Sequence, residues 1–412
     1  MPKRLIVFLP WLIISVACSS PSGEGPTGSL PPLVESPVQG ALPSPSSFAP
    51  GVAAHDRLLV TRDDGSLVTM SPDGSEVLTL AGGESEGHHA RQAVWSPDGR
   101  GVAWVEVNAS GPGPGSVLVS DPEGQGTTEV DVGVGAFFLQ WDPTSSRIAY
   151  LGNIAGSIGM GVVDLRPAEP TDLQLGAGSP FYLSWSPDGN RMVVHVGQRL
   201  IGILKIEGEL DRLRDRPALF QAPIWLPDGR FVFAAQRHDR SLLVVREGQH
   251  SRQIASVGGQ ISIVASPDGR RLAYSGIGPG ADTDVYVADL RTGERVRVLD
   301  GEAAIFFWSP NSRVLLMLTP AEGDVPGTHR WIVWDDRVRF SGEVFLPSPS
   351  FLQEYVPFFS QYAQAMSLWS PDVNAFAYAG LHDGRAGIWV QSANGGEPTL
   401  VGDGELVAWS PT

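Results

Sequence analysis

Cysteine and lysine are almost absent from this sequence. The single cysteine, Cys18, cannot form an intrachain disulfide, so the chain is not a disulfide-stapled scaffold. Only Lys3 and Lys205 are lysines, and the formal net charge is −16. Because nucleic-acid binding favours a clustered face of positive charge, this balance argues against a nucleic-acid partner.

A long hydrophobic run is also missing. The N-terminal apolar run, Leu5–Val16, is too short to span a bilayer, and it follows a basic pair. This order predicts a signal peptide over residues 1–17. Small residues before Cys18 resemble the bacterial lipobox, with Ser15 in place of the usual leucine. We therefore predict an exported protein that is anchored to the membrane by a lipid on Cys18; the alternative is an ordinary secretion signal.

The segment that follows is rich in linker residues. Residues 19–50 contain eight prolines, eight serines and four glycines, and no lysine or arginine. Such a composition cannot bury enough apolar surface to fold, and its prolines favour extended backbone. We predict that residues 18–56, with the lipidated cysteine at their start, form a disordered tether.

One short motif recurs along the rest of the chain. It reads WSPDG at Trp95 and Trp185, and the other copies are variants of it. The average spacing, about 45 residues, is typical of a β-propeller blade of four strands. The copies begin at Trp95, Trp141, Trp185, Trp225, Ala265, Trp308, Trp369 and Trp409.

The two ends of the repeat region predict how the ring closes. Residues 57–80 hold three strand-like runs without a first strand, and Glu405–Trp409 reads as a first strand without the other three. Pairing them completes one blade and removes exposed edges. We predict an all-β propeller over residues 57–412, with eight blades of four antiparallel strands; seven blades are the alternative.

The tryptophans have two interpretations. Large apolar side chains at one position of each repeat fill the wedge between neighbouring blades, whereas a set of tryptophans can also form a ligand cage. The packing interpretation is favoured because each tryptophan holds the same place in a structural repeat. These residues are Trp95, Trp141, Trp185, Trp225, Trp308, Trp369 and Trp409.

The loops predict which face binds a partner. The first-to-second and third-to-fourth connections form one side of the ring, which we call the tight-turn face. The second-to-third and fourth-to-first connections form the opposite side, the long-loop face. Binding residues concentrate in loops on a rigid scaffold, so we expect them on the long-loop face. Its long segments are 81–91, 108–114, 277–282, 319–329 and 346–363.

Two of these segments carry the candidate binding residues. One contains His88, His89 and Arg91. The other is predicted as a long surface loop with five aromatic residues, which either forms an interaction patch or folds back and caps the ring. Its aromatic residues are Phe351, Tyr355, Phe358, Phe359 and Tyr362.

No catalytic or metal site is predicted. Gly83–Gly87 matches the G-x-S-x-G pattern around Ser85, but a nucleophile elbow needs a following helix and a strand is expected here. His88 and His89 are adjacent and point in opposite directions along an extended chain, which argues against one shared metal ion. The other histidines have no ligand spacing. We predict no cofactor.

The repeats resemble the TolB-type, WD-like β-propeller repeat. Trp95–Gly99 and the third-strand pattern Asp284–Val287 carry the resemblance best, over residues 57–412. Similar repeats occur in prolyl-oligopeptidase propellers, but this chain has no room for the hydrolase domain. The TolB family has a separate α/β domain before a six-bladed ring, and here the tether takes its place. The resemblance implies a periplasmic or cell-surface scaffold.

These features lead to one preferred function and two alternatives. We expect a non-enzymatic, monomeric, lipid-anchored propeller outside the cytoplasm that binds a protein or cell-envelope polymer through the long-loop face. The first alternative is a propeller enzyme, such as a lyase, lactonase or hydrolase, with its site at the channel mouth. The second is a sensor of a small ligand or sugar.

Overall fold

In a computed structural model, the protein forms a ring of eight four-stranded antiparallel sheets. The structure describes residues 52–108, 115–154, 156–167, 169–220, 222–277, 281–321 and 325–412. The predicted signal peptide, Cys18 and most of the tether fall outside these residues. The all-β, eight-bladed prediction is confirmed, and the ring is the propeller that the TolB-type repeats predict.

Each blade runs from an innermost first strand to an outermost fourth strand. Blade 1 comprises Leu406–Trp409, Leu58–Thr61, Leu67–Met70 and Leu78–Ala81. Blade 2 comprises His88–Trp95, Val102–Asn108, Gly115–Ser120 and Thr128–Val134. Blade 3 comprises Ala136–Trp141, Arg147–Ile154, Ser157–Asp164 and Thr171–Ala177. Blade 4 comprises Phe181–Trp185, Arg191–Val196, Leu200–Lys205 and Leu210–Arg212.

The second half of the ring follows the same order. Blade 5 comprises Ile224–Trp225, Phe231–Arg237, Arg240–Glu247 and His250–Gly258. Blade 6 comprises Gln260–Ala265, Arg271–Ile277, Val285–Asp289 and Arg295–Leu299. Blade 7 comprises Ile305–Trp308, Leu315–Pro320, His329–Trp334 and Val338–Ser341. Blade 8 comprises Leu346–Pro347, Ala375–His382, Arg385–Ser392 and Thr399–Gly402.

Helical turns are few and short among the described residues. A 3₁₀ turn spans Gly83–Glu86 before blade 2. Three consecutive turns lie within blade 8: a π-helical turn at Phe351–Tyr355, a 3₁₀ turn at Val356–Phe358 and an α-helical turn at Phe359–Tyr362.

Blade 1 closes the ring as the sequence predicts. Its innermost strand, Leu406–Trp409, pairs antiparallel with Leu58–Thr61, so that Leu58 lies opposite Trp409. The amide of Ala54 also donates a 2.8 Å hydrogen bond to the carbonyl of Gly99, in the first-to-second turn of blade 2. The hydroxyl of Thr412 donates to the carbonyl of Ala54 at 2.6 Å. Both ends of the described ring therefore lie on the tight-turn face.

The repeat tryptophans join neighbouring blades. The indole Nε1 of Trp95 donates a 3.3 Å hydrogen bond to the carbonyl of Ala408, the residue before Trp409 in blade 1. Four other tryptophans donate to the equivalent carbonyl of the preceding blade: Trp141, Trp185, Trp308 and Trp369. Trp225 and Trp409 differ, because their indoles donate to the carbonyl of Gly229 and the carboxylate of Asp56.

The serine of the motif organises the tight turn. The Ser96 hydroxyl donates to the Asp98 carboxylate at 2.6 Å and accepts the amide hydrogen of Gly101 at 2.9 Å. The same pair of bonds occurs at Ser309 with Asn311 and at Ser370 with Asp372. Because this serine is buried, the two bonds satisfy its hydroxyl and hold the turn in shape.

Candidate functional site

The long insertion before Trp369 lies inside the ring. The sequence predicts a surface loop between two blades, but residues 348–367 interrupt the innermost strand of blade 8. Leu346 and Pro347 pair with its second strand near the long-loop face, and Trp369 forms a bridge with Phe376 near the opposite end. We call residues 348–367 the plug, because they occupy the centre of the ring between these two points.

The plug contacts all eight blades. Gln361 carries the most polar contacts: its Oε1 accepts the amide hydrogen of Leu183 at 2.9 Å, and its Nε2 donates to the carbonyl of Leu183 at 2.9 Å. Other plug residues contact the remaining blades through Glu405, Gln92, Phe137, Pro223, Ile263, Phe306 and Ala379. The plug therefore closes the channel of the propeller.

Four of the five candidate aromatic residues in the plug are buried. They are Phe351, Tyr355, Phe359 and Tyr362, whereas Phe358 is 47% exposed. Tyr362 packs edge-on against Phe138 of blade 3, and Phe359 does the same against Phe306 of blade 7. An exposed five-residue patch is therefore the wrong picture of this segment. Most of its aromatic side chains are buried in the ring interior, which favours the interpretation that the segment caps the ring.

A pocket remains between the plug and blades 2, 3 and 4. Its volume is about 680 Å³, within the range of small-ligand sites. It opens on the long-loop face, where the first strands of these blades begin. The pocket brings together four of the candidate residues: His89, Arg91, Phe358 and Tyr362.

The two sides of the pocket differ in polarity. Blades 3 and 4 supply an apolar wall: Phe137, Phe138, Leu151, Ile158, Phe181 and Tyr182. Blade 2 supplies a polar wall: His89, Arg91, Gln92 and Asn108. The plug adds Glu354 and Gln361 to the lining. A molecule that fits both walls must have an apolar part and a polar part.

An irregular strand shapes the polar wall. The sequence predicts a loop through Arg91, but His88, His89 and Arg91 begin the first strand of blade 2. The register of this strand shifts between Arg91 and Val94, and Gln92 has a φ of +55°. Non-glycine residues in this conformation are uncommon and are often found at functional sites. The bulge turns the buried Gln92 toward Glu354, and its Nε2 lies 3.5 Å from the Glu354 Oε2.

Charge in the pocket comes mainly from Arg91 and Glu354. Burial raises the pKa of the Glu354 carboxyl, and the Arg91 guanidinium opposes that shift. The Arg91 side chain is exposed and forms no hydrogen bond or ion pair within the part of the chain that the structure describes. Burial also raises the pKa of Tyr182 to about 12, so its hydroxyl stays neutral and able to donate a hydrogen bond.

The two adjacent histidines point to different partners. His88 Nδ1 lies 3.6 Å from the Glu106 carboxylate, and His88 does not line the pocket. His89 lines the pocket, and its Nε2 lies 3.3 Å from the Glu84 carboxylate.

One group of metal-capable side chains lies elsewhere on the long-loop face. The buried His382 places Nε2 3.0 Å from Glu343 Oε2, and its Nδ1 lies 3.8 Å from Asp383 Oδ2. The sequence gives no ligand spacing for His382, because Glu343 lies far from it in the chain, in the connection between blades 7 and 8. His382 Nε2 is within hydrogen-bonding distance of Glu343, whereas the distance from Nδ1 to Asp383 is too long for a hydrogen bond.

Exposed apolar side chains concentrate on the long-loop face. Six of the eleven large hydrophobic residues exposed among the described residues lie there: Phe137, Leu219, Val325, Val344, Phe358 and Leu381. Three others lie on the outermost strands, Val77 lies in the third-to-fourth connection of blade 1, and Val52 precedes the ring. None of the eleven is in a first-to-second turn. The sequence analysis names Phe358 among its candidates and misses the other five, because each of them stands alone in its loop.

Each helical turn of the described chain is at most five residues long, far less than a membrane-crossing helix requires.

Comparisons with known proteins show the fold and no family. No protein-family model matches the chain, and no curated protein is detectably similar to it in sequence. The dihydro-heme d1 dehydrogenase NirN is 16% identical with a TM-score of 0.56, over 90% of this chain and 76% of that chain. The propeller of the trilobed protease from Pyrococcus furiosus is 14% identical with a TM-score of 0.50, over 77% and 98%.

TolB from Acinetobacter baumannii is also similar, at 15% identity and a TM-score of 0.41, over 69% of this chain and 79% of that chain. These structures include enzymes as well as TolB. At such identities the likeness reaches the fold alone and does not decide between an enzyme and a binding protein.

Proposed function

We propose that this protein is a non-enzymatic, exported β-propeller that binds a protein or a cell-envelope polymer through its long-loop face. One observation carries the proposal: six exposed apolar residues lie on this face together with the pocket, whereas Val77 is the one that lies in a described tight-turn connection. Exposed apolar residues on the same face as an apolar pocket favour an interaction site there. The apolar character of the surface favours a protein over a highly charged polymer.

The position of the chain ends supports the same face. Ala54 and Thr412 lie on the tight-turn face, so the predicted tether enters the ring on the side opposite the pocket. A tether that joins the ring on that side does not itself cover the long-loop face, which stays accessible to a partner.

The chemistry of the pocket favours binding over catalysis. Its lining, as far as the structure describes it, contains no serine, threonine or cysteine for His89 to activate as a nucleophile. The two charged residues do not form a buried catalytic pair, because Glu354 lies on the plug and the exposed Arg91 lies on blade 2. Most of the remaining lining is apolar, as in sites that hold a ligand by burial and orient it with a few polar groups.

The test compares exposed apolar residues on two parts of the ring. Phe358→Asp and Leu381→Asp place a charge on the long-loop face, and Val296→Asp places one on the outermost strand of blade 6. The three residues are 47%, 41% and 59% exposed, so none of the changes should disturb the core. Each variant is crosslinked in producing cells, and its co-purified partners are identified.

We expect the first two variants to lose a partner that wild type and Val296→Asp retain. Equal retention by all three variants contradicts the proposal. Loss in Val296→Asp alone assigns the interaction to the outer edge of the ring instead.

A further inference from the structure

We infer that the pocket between the plug and blades 2 to 4 binds an amphipathic carboxylate, that is, an aromatic or branched apolar group that carries one carboxylate. The apolar body lies against blades 3 and 4, and the carboxylate lies beside Arg91. The inference deepens the proposed function and rests on it, because the pocket opens on the same face.

The apolar wall fixes the body of the ligand. Phe137, Phe138 and Phe181 present aromatic rings from two adjacent blades, and Leu151 adds an aliphatic surface. Phe358 of the plug completes the wall and is exposed at its edge. Aromatic rings pack well against such a surface in offset or edge-on arrangements. A volume of about 680 Å³ leaves room for a phenyl or branched aliphatic group together with its polar end.

The polar wall fixes the charge of the head group. The Arg91 guanidinium has no ion pair or hydrogen bond within the described chain, and its planar shape matches a carboxylate through two parallel hydrogen bonds. Glu354, the one carboxylate in the described lining, is half-buried and faces the Gln92 amide. The exposed cation is therefore the group available to a ligand.

A single cation also limits the ligand to a single negative charge. Among the described lining residues Arg91 is the only arginine or lysine, and Glu354 repels anions. A phosphate dianion or a polyanion would meet more repulsion than one guanidinium offsets. A monocarboxylate has the charge that this wall accommodates.

Two sources can supply this chemistry. One is a free small acid, and the other is the C-terminal carboxylate of a partner chain that ends in an apolar residue. The second source joins the pocket to the proposed protein interface, since the rest of the partner would cover the exposed apolar residues around it.

The test uses three probes that share one body. Purified protein is titrated with 3-phenylpropanoate, 3-phenylpropanamide and 3-phenylpropylammonium, and binding is followed by calorimetry or ligand-observed NMR. We expect the carboxylate to bind about fivefold more tightly than the amide, the scale of one partly exposed ion pair, and the ammonium to bind most weakly.

Matched variants assign the preference to the pocket. Arg91→Gln should bind the acid and the amide equally, and Glu354→Gln should bind the acid more tightly than wild type. Arg385→Gln is the control, because Arg385 begins the third strand of blade 8 on the same face and does not line the pocket. It should keep the wild-type preference.

The opposite results overturn the inference. These are tighter binding of the ammonium, equal binding of acid and amide to wild type, a preference that survives Arg91→Gln, or no binding of any probe. A five-residue peptide ending in phenylalanine, as free acid and as amide, then separates the sources. Tighter binding of the peptide acid than of 3-phenylpropanoate assigns the site to a partner's C-terminus, and weaker binding assigns it to a free acid.

Failure here and failure of the proposed function are distinguishable. If no probe shows a carboxylate preference but Phe358→Asp still loses its partner, the face binds and the ligand class is wrong. If the probes behave as expected and no variant loses a partner, the pocket is a small-molecule site without a protein interface.

Discussion

At the scale of single residues, one turn holds a valine in a backbone conformation that valine disfavours. Nine described residues other than glycine have φ in the left-handed region, and Val373 is the only β-branched residue among them. It occupies the position that glycine fills at Gly99, Gly189 and Gly229. A β-branched side chain there is strained, because its Cβ crowds the backbone.

Replacing Val373 with glycine should therefore stabilise the protein. We expect Val373→Gly to raise the free energy of unfolding by about 1 kcal/mol. The change removes the strain of a left-handed valine, and the greater backbone freedom of glycine in the unfolded chain cancels part of that gain. Gly229→Val is the reverse change: a Cβ at Gly229 meets nothing within 4 Å, so a loss of about 1 kcal/mol would come from conformation alone. Urea denaturation measures both. A loss of stability in Val373→Gly means that its packing outweighs the strain.

Glu354 predicts a pH-dependent stability. Burial raises the pKa of its carboxyl above the ordinary value of 4.5, so the folded protein binds a proton more readily than the unfolded chain. This residue therefore destabilises the fold when it is ionised, and the penalty disappears as the pH falls through the folded pKa and below 4.5. Glu354→Gln should unfold at a higher temperature than wild type at pH 8. The difference should vanish at pH 4, and a constant difference would exclude the carboxyl as its cause.

Cys18 gives the residue-scale test of the predicted anchor. If the lipobox resemblance is correct, cells fed a fatty-acid analogue should label the wild type and not Cys18→Ala. Serine at the same position serves as a second variant, since it keeps the size of the side chain and removes the thiol. Equal labelling of the three proteins would leave an ordinary signal peptide as the explanation of the N-terminus.

At the scale of elements, the plug is the part of the molecule that departs from the repeat. Gln361 is 2% exposed, and its amide is bonded to both backbone groups of Leu183 and to the Gln140 side chain at 3.2 Å. Its replacement by alanine leaves buried polar groups without partners. The same segment forms one wall of the pocket through Phe358 and Tyr362. The position of the plug therefore decides both the closure of the channel and the shape of the pocket.

We expect Gln361→Ala to lower the free energy of unfolding by about 2 kcal/mol, the cost of an unsatisfied buried backbone group. Gln353, another glutamine of the plug, is exposed, so Gln353→Ala should have little effect and is the control. Thermal unfolding followed by circular dichroism measures both. Similar stabilities for the two variants would mean that the plug does not depend on this anchor.

The sequence predicts the blades much better than the plug. The WSPDG copies place the end of each first strand, and the Asp-Gly turns separate the strands of blade 1, so local chemistry alone locates these elements. The plug has no repeat to reveal it, and its partner Leu183 is 178 residues away from Gln361 in the chain. The pocket depends on three blades at once. Its residues could be chosen singly, as Arg91 and Phe358 were, but not assembled.

At the scale of the whole molecule, one seam holds the ring shut. Leu406–Trp409 is the innermost strand of blade 1 and bonds to Leu58–Thr61 over four residue pairs. Trp409 also donates to the Asp56 carboxylate, and the amide of Arg57 donates to the Ser410 hydroxyl at 3.0 Å. If this seam opens, blade 1 loses its innermost strand and the ring is no longer closed.

A proline in the seam should destabilise the whole ring. The amide of Ser410 donates to the carbonyl of Arg57 at 2.8 Å, so in this antiparallel pairing the amide of Ala408 also faces Leu58–Thr61. Ala408→Pro removes this donor at a buried position, and we expect a loss of at least about 3 kcal/mol. Val407→Ala keeps every backbone donor and loses only part of a buried side chain, so it should cost about 1 to 2 kcal/mol. Differential scanning calorimetry compares the two variants with wild type. An equal effect would show that side-chain packing, and not strand pairing, closes the ring.

The seam also sets the order in which the chain can fold. The backbone of Arg57 meets Ser410 across 353 positions of sequence, whereas the other blades are built from consecutive strands. Contacts between distant residues form late, because their loop-closure entropy is lost before they return any stabilisation. Until residues 406–409 are available, Leu58–Thr61 keeps an unpaired edge that another chain can occupy. A chain interrupted within blade 8 is therefore expected to aggregate or to exchange strands with another copy.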